Sequence, residues 1–237
     1  MPADFFIFLA IFAFAFFAQA VVGFGGNILA LTLGALLFPV PQLLTWLVPM
    51  VILLSGYILI RHHQHVAWPL LLKQVLPWMA GGLVIGQILF YVVDTTVLKK
   101  MLGAMVIALA LKELLLKSDG GRRRLPPWTF GAGVCHGLFA AGGPLLVYGI
   151  AGQSLNKSAF RSTLAVVWLG FGLVLMTSYL IAGQVQSDAL PRIGIMALVL
   201  PMSIALGEWV HHRVSEGPFK ILIYLLLIIA GAALLIR

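Results

Sequence analysis

Charge is scarce in this chain. Lys, Arg, Asp and Glu together make up 9% of the 237 residues, and only seven of them are acidic. Soluble domains carry roughly 25% charged residues, so a water-facing globular domain is excluded. Cysteine occurs once, at Cys135, which excludes an intramolecular disulfide. The longest polar stretch, "KSDGGRRRLPP", is barely a linker. The start, "MPADFF", carries Asp4 and lacks the basic region of a cleavable signal peptide, so the first apolar run is expected to stay in the mature chain. No phosphate loop, nucleotide-binding pattern or Ser-His-Asp constellation is present, so neither enzymatic activity nor ATP hydrolysis is expected, and no cofactor is implied.

Apolar residues, in contrast, fill 62% of the positions, and the mean hydropathy is +1.08. Several apolar runs approach the roughly 20 residues that cross a bilayer. The expected fold is an all-α polytopic membrane protein. The formal charge of +8 sits between apolar spans, where it faces anionic headgroups and sets topology; lipid, not nucleic acid, is the expected partner.

Apolar runs cover 5–22, 28–38, 43–60, 69–93 and 97–116, then 128–140, 145–153, 159–183, 189–210 and 219–236. Two short or broken pieces precede three long ones, twice over. Gly25-Gly26 recurs as Gly142-Gly143, 117 positions on, while Gly86 and Lys99 recur as Gly207 and Lys220, 121 positions on. Such spacing predicts a duplication, with repeats over 1–116 and 128–237 joined by a linker at 117–127. Each repeat would be a glycine-broken helical hairpin followed by three transmembrane helices. An odd number of elements per half inverts the second repeat and divides the fifteen basic residues eleven to four. The smaller group is Lys99, Lys100, Arg192 and Arg237. Reading 5–38 as one interrupted span gives a less biased nine to six, and a continuous helix of that length would be roughly 51 Å long, against a hydrocarbon core of about 30 Å. The positive-inside rule therefore favours the inverted arrangement, with the linker in the cytoplasm and both termini outside.

The breaks themselves, "GFGGN" and "AAGGP", are the candidate site. Irregular backbone at membrane depth survives only where protein buries it or a wet cavity solvates it. A helix that restarts there leaves N–H groups without intrahelical partners and aims the positive end of its dipole at them, an arrangement suited to an anion. Gly25, Gly26 and Asn27, with Asn27 at the N-cap position, form one start. Gly142, Gly143 and Pro144, with Pro144 at a first helical position, form the other. Paired breaks in corresponding places point to a transporter's substrate site; close helix packing through glycine is the competing explanation.

Polar residues inside the spans extend the candidate set. Arg161 in "AFRSTL" either holds an oxyanion or snorkels to the headgroups. Gln19 and His136 each stand six residues before a glycine pair, at matched positions, and either project into a cavity or make packing hydrogen bonds. Thr45, near the counterpart of Ser162, either lines the cavity or bonds its own helix. Glu208, counterpart of Gln87, reads as an interfacial ion-pairing residue. His62, His63 and His65 lack acidic or cysteine co-ligands and read as a loop, so no metal site is expected.

The two breaks, the duplicated layout and "KSAFRSTLAVV" together resemble the sulfite exporter TauE/SafE family, also called the toluenesulfonate uptake permeases, over essentially the whole chain. Here Asn27 and Pro144 stand where the family more often continues its glycine run. The resemblance implies a bacterial inner-membrane secondary transporter of a small sulfur oxyanion, sulfite or an organosulfonate, exporting by alternating access. Uptake of a related anion, a passive anion channel and a scaffolding membrane subunit are the alternatives. The letters leave open the identity of the anion, the coupling ion, the oligomeric state and whether the short hairpin arms span the bilayer.

Overall fold

A computed structural model describes residues 3–22, 25–115, 125–150, 153, 155–211 and 216–236. The linker up to Arg124 therefore lies outside the described residues. Each apolar run forms helix over most of its described length, although α2 stops at Gly34 within the run 28–38 and α8 at Ile150 within the run 145–153, and no strand occurs among the described residues. Among the described residues, six helices are long and apolar enough to cross a membrane. The helix over Thr95–Leu115 is not among them, because Lys99, Lys100, Lys112 and Glu113 dilute its apolar surface.

The chain forms two compact units, each assembled from both sequence halves. The first comprises Met1–Trp46, Val93–Ser118 and Ser187–Arg237. It contains α1 (Ala3–Val22), α2 (Gly26–Gly34), the start of α3 (Val40–His62), α6 (Thr95–Leu115), α10 (Ala189–His211) and α11 (Glu216–Ile236). Here α1 lies against α2 and α10, and α6 lies against α11. The approach of α1 to α10 is close: a Cβ at Gly207 would sit 2.5 Å from the Phe17 carbonyl oxygen. Phe5, Phe8 and Trp46 are fully buried and pack edge-on or tilted, with Phe5 and Phe8 centroids 6.0 and 5.6 Å from Trp46.

Into this aromatic wall reaches Arg192, only 7% exposed. Its Nη2 pairs with Asp188 Oδ2 at 2.8 Å, one helical turn earlier. Its Cζ lies 4.7 Å from the Trp46 ring centroid and 5.6 Å from that of Phe5. A desolvated guanidinium over two ring faces gains cation–π attraction that offsets part of its lost hydration. The topology charge of the sequence reading is thus a core residue.

The second unit comprises Leu47–Val92 and Asp119–Gln186. It contains the rest of α3, α4 (Trp68–Leu70), α5 (Leu76–Val92), α7 (Leu125–Phe139), α8 (Gly143–Ile150) and α9 (Lys157–Ile181). Here α7 packs on α5 and on α8. A Cβ at Gly86 would collide with the Val134 carbonyl oxygen, so α5 and α7 touch backbone to backbone. The run at 69–93 is not one regular helix: Leu71–Val75 widens into a π-turn between α4 and α5. Pro77 has no N–H to offer the Lys73 carbonyl, and its ring would strike that carbonyl in a regular helix; the wider turn relieves the clash.

Candidate functional site

The first break closes on itself. Gly25 caps α2 at φ 93°, a left-handed conformation that costs glycine little and other residues much. The N-cap is therefore Gly25, not Asn27, which lies inside the first turn of α2 and is half-buried. The amide of Gly26 donates to Gln19 Oε1 at 2.9 Å. A Cβ on Gly26 would lie 2.9 Å from both the Ala15 carbonyl oxygen and Gln19 Cβ. Gln19 and the two glycines thus form a single cluster, in which the side chain supplies the acceptor that a helix start requires.

The second break has the same outline and a different interior. α7 ends at Phe139, Ala140 turns the chain at φ 50°, and α8 begins at Gly143. Pro144 is the second residue of α8, where its missing N–H removes nothing the helix would use. The first helical bond of the new helix runs from the Leu146 amide to the Gly142 carbonyl at 3.1 Å. The amides of Gly143 and Leu145 have no intrahelical acceptor. A Cβ at Gly142 would collide with the Ala132 carbonyl and lie 3.1 Å from His136 Cβ, so His136 stands beside this break as Gln19 stands beside the first.

His136 does not close its break. It is 1% exposed, and among the described residues neither Nδ1 nor Nε2 has a hydrogen-bond partner. Its ring stacks on Trp168 with centroids 5.2 Å apart and planes at 24°, and Phe171 lies 6.2 Å away. Trp168 also faces the helix start, since a Cβ at Gly143 would be 3.8 Å from its Cζ2. Buried polar groups in folded proteins are almost always paired. The second break thus combines an imidazole whose two nitrogens have no partner among the described residues with helix-start amides that have no acceptor in their own helix. Trp168 had no signal in the sequence beyond being an aromatic residue within a span.

Two predicted residues stand apart. Arg161 is exposed on the first turns of α9 and has no ion pair among the described residues. The N-cap of that helix is Asn156, whose Oδ1 accepts the Ala159 amide at 2.8 Å. Thr45 is 1% exposed and donates its hydroxyl to the Gln42 carbonyl at 2.7 Å, the own-helix bond that was its alternative. His63–His65 form an exposed 3₁₀ turn, and no group of three potential metal ligands occurs among the described residues.

Long apolar helices, two of them broken at matched glycine-rich points, define a polytopic helical membrane protein with discontinuous helices. The chain belongs to the sulfite exporter TauE/SafE family, whose family model matches residues 7–234. Membership implies a membrane transporter of sulfite or sulfonates. No curated protein and no solved structure matches the chain.

Proposed function

We propose that the chain is a secondary transporter that exports a small sulfur oxyanion, sulfite or an organosulfonate, across a bacterial inner membrane by alternating access. The observation that carries this reading is His136, buried with both nitrogens idle beside the start of α8. In either protonation state imidazole offers at least one N–H, and the amides of Gly143 and Leu145 add donors along the helix dipole. Gly142 and Pro144 shape that start. At the first start, formed by Gly25, Gly26 and Asn27, an anion would have to displace Gln19 Oε1 from the Gly26 amide. Arg161 acts as an exposed electrostatic guide for the anion, whereas the hydroxyl of Thr45 is committed to its own helix.

The halves 1–116 and 128–237 act as an inverted repeat, with the 117–127 linker in the cytoplasm. Reciprocal close packing supports the repeat. Gly86 meets the carbonyl of Val134, and Gly207 meets that of Phe17, 117 residues earlier. Likewise Gly142 meets Ala132 and His136, whereas Gly26 meets Ala15 and Gln19; the partners are 117 residues apart and the two glycines 116, a shift of one position at the break. Export of a divalent anion from a cell negative inside gains about 2.3 kcal/mol per charge per 100 mV, so no coupling ion is required.

Sulfite flux into proteoliposomes of the purified chain tests the reading. Saturation together with counterflow exchange is expected. Flux without either would make it a channel, and no flux a scaffold. Labelling of a Ser118→Cys variant, at a position outside the described residues, is expected from the cytoplasmic side only.

A further inference from the structure

A helix that stops inside a membrane leaves its last carbonyls without amides to accept, and in hydrocarbon each such group is costly. In α7 the Ala140 amide still reaches the His136 carbonyl at 2.8 Å. The next carbonyl, that of Gly137, is served from outside the helix: Gln87 of α5 donates to it from Nε2 at 2.6 Å. The other end of that amide faces the Ser178 hydroxyl of α9, whose single proton is shared between Gln87 Oε1 and the Leu175 carbonyl of its own helix, each at 2.7 Å. Tyr91, one turn beyond Gln87, contributes its hydroxyl to Ser178 Oγ at 3.2 Å. Both ends of the Gln87 amide are therefore occupied in the one orientation that suits a carbonyl on one side and a hydroxyl donor on the other. The absence of a side chain at Gly86, where α5 meets α7 backbone to backbone, brings Gln87 within reach.

We propose that Gln87 is the positioning residue of the second break. It acts as a C-cap borrowed from a neighbouring helix, holding the end of α7 so that His136 stays beside the start of α8. This rests on the transport reading above for its functional consequence, but not for its geometry. The first unit carries an independent instance of the same device. There His211, from α10, places Nδ1 2.7 Å from the Val21 carbonyl oxygen near the end of α1. A carbonyl can only accept, so that nitrogen is the donor. Each broken helix thus has one terminal carbonyl served by a side chain from the helix packed against it, an amide in one unit and an imidazole in the other.

The test uses Gln87→Leu and Gln87→Glu in the full-length protein. Leucine keeps the bulk and removes the donor. Protonated glutamic acid can donate to the Gly137 carbonyl, whereas the carboxylate cannot and repels it. Two readouts are taken: sulfite KM and turnover in proteoliposomes, and amide hydrogen exchange over 136–143 in detergent, each from pH 5 to pH 8. Gln87→Leu is expected to raise KM at least tenfold, with inserted protein and turnover near wild type, and to speed exchange over 136–143. Gln87→Glu is expected to behave like wild type at pH 5 and like Gln87→Leu at pH 8. Wild-type KM and exchange in Gln87→Leu would overturn the proposal. So would equal impairment of both variants at every pH, the sign of a packing role alone. If the wild type itself moves no sulfite, the transport reading falls, and the exchange data alone decide whether Gln87 holds the break.

Discussion

His136 and Trp168 lie face to face, 5.2 Å between ring centroids and 24° between planes, and no hydrogen bond fixes the imidazole on either of its nitrogens. The indole sets the plane of the ring but not its partners. On the proposed reading, a solute beside Gly143 would meet the imidazole edge and the first amides of α8, groups without a partner in the protein. At the first break, by contrast, Gln19 Oε1 already accepts the Gly26 amide.

That difference predicts the outcome of His136→Gln. The new amide can bond the second break as Gln19 bonds the first, satisfying groups that are now unpaired. Melting temperature in detergent is expected to rise, because leaving a buried polar group unsatisfied costs about 1–3 kcal/mol. Sulfite flux is expected to fall at least tenfold, equivalent to about 1.4 kcal/mol of lost stabilisation. A variant that transports normally would remove His136 from the site.

Neighbouring glycines should separate fold from function. In Gly142→Ala the methyl strikes the Ala132 carbonyl, a backbone atom that cannot swing aside. Overpacking of this kind costs about 1–3 kcal/mol, so a lower melting temperature and less inserted protein are expected. In Gly143→Ala the methyl meets only Trp168 Cζ2 at 3.8 Å, an ordinary contact. That variant is expected to insert normally and to bind sulfite more weakly, read as a raised KM. Loss of folding in both would favour a break whose glycines serve only packing.

Arg192 and Asp188 make a pair in which one partner is buried and the other is half-exposed. Asp188→Asn leaves the guanidinium charged and uncompensated among Phe5 and Trp46. Stability is expected to drop by about 1–3 kcal/mol, less than for a fully buried pair because water screens the carboxylate. In the double variant Asp188→Asn, Arg192→Met, where no buried charge remains, much of the loss is expected to return. Thermal unfolding of all four combinations gives the coupling energy.

Asp94 opens α6 by accepting the Thr96 amide on Oδ1 at 2.7 Å. That backbone bond, with others from Thr96, Val97 and Thr95, holds the exposed carboxyl below its ordinary value of 3.8. A carboxyl lowered on folding stabilises the fold above its unfolded value and loses that contribution as pH falls through the folded one. Below about pH 4 the wild type is expected to lose melting temperature more steeply than Asp94→Ala, with the difference closing at the lowest pH. Parallel curves would show that the cap contributes nothing.

Most of the helical plan was legible because hydrocarbon-length runs and glycine pairs are local signals. Both hairpin breaks and all ten apolar runs could be read directly from the letters. Details that depend on backbone angles were not: Asn27 has the chemistry of an N-cap, but the chain there needs a left-handed residue, and Gly25 takes the position. The π-turn at Leu71–Val75 was latent in Pro77, which a hydropathy pattern passes over. Contacts between distant segments were the least visible. Gln87 reaches a carbonyl 50 positions away, and Arg192 lies over Phe5 and Trp46, which come from the opposite end of the sequence. Neither Gln87 nor Arg192 differs in the letters from an ordinary membrane-helix polar residue.

The interleaved make-up of the units has a consequence for biogenesis. α1 leaves the ribosome first, but α10, the helix that packs on it and serves its last turn, is made only after residue 188. Until then the His211 contact to the Val21 carbonyl and the close approach of Gly207 to Phe17 cannot form. Closure of the first unit therefore has to follow synthesis of the C-terminal helices rather than the order in which its segments are made.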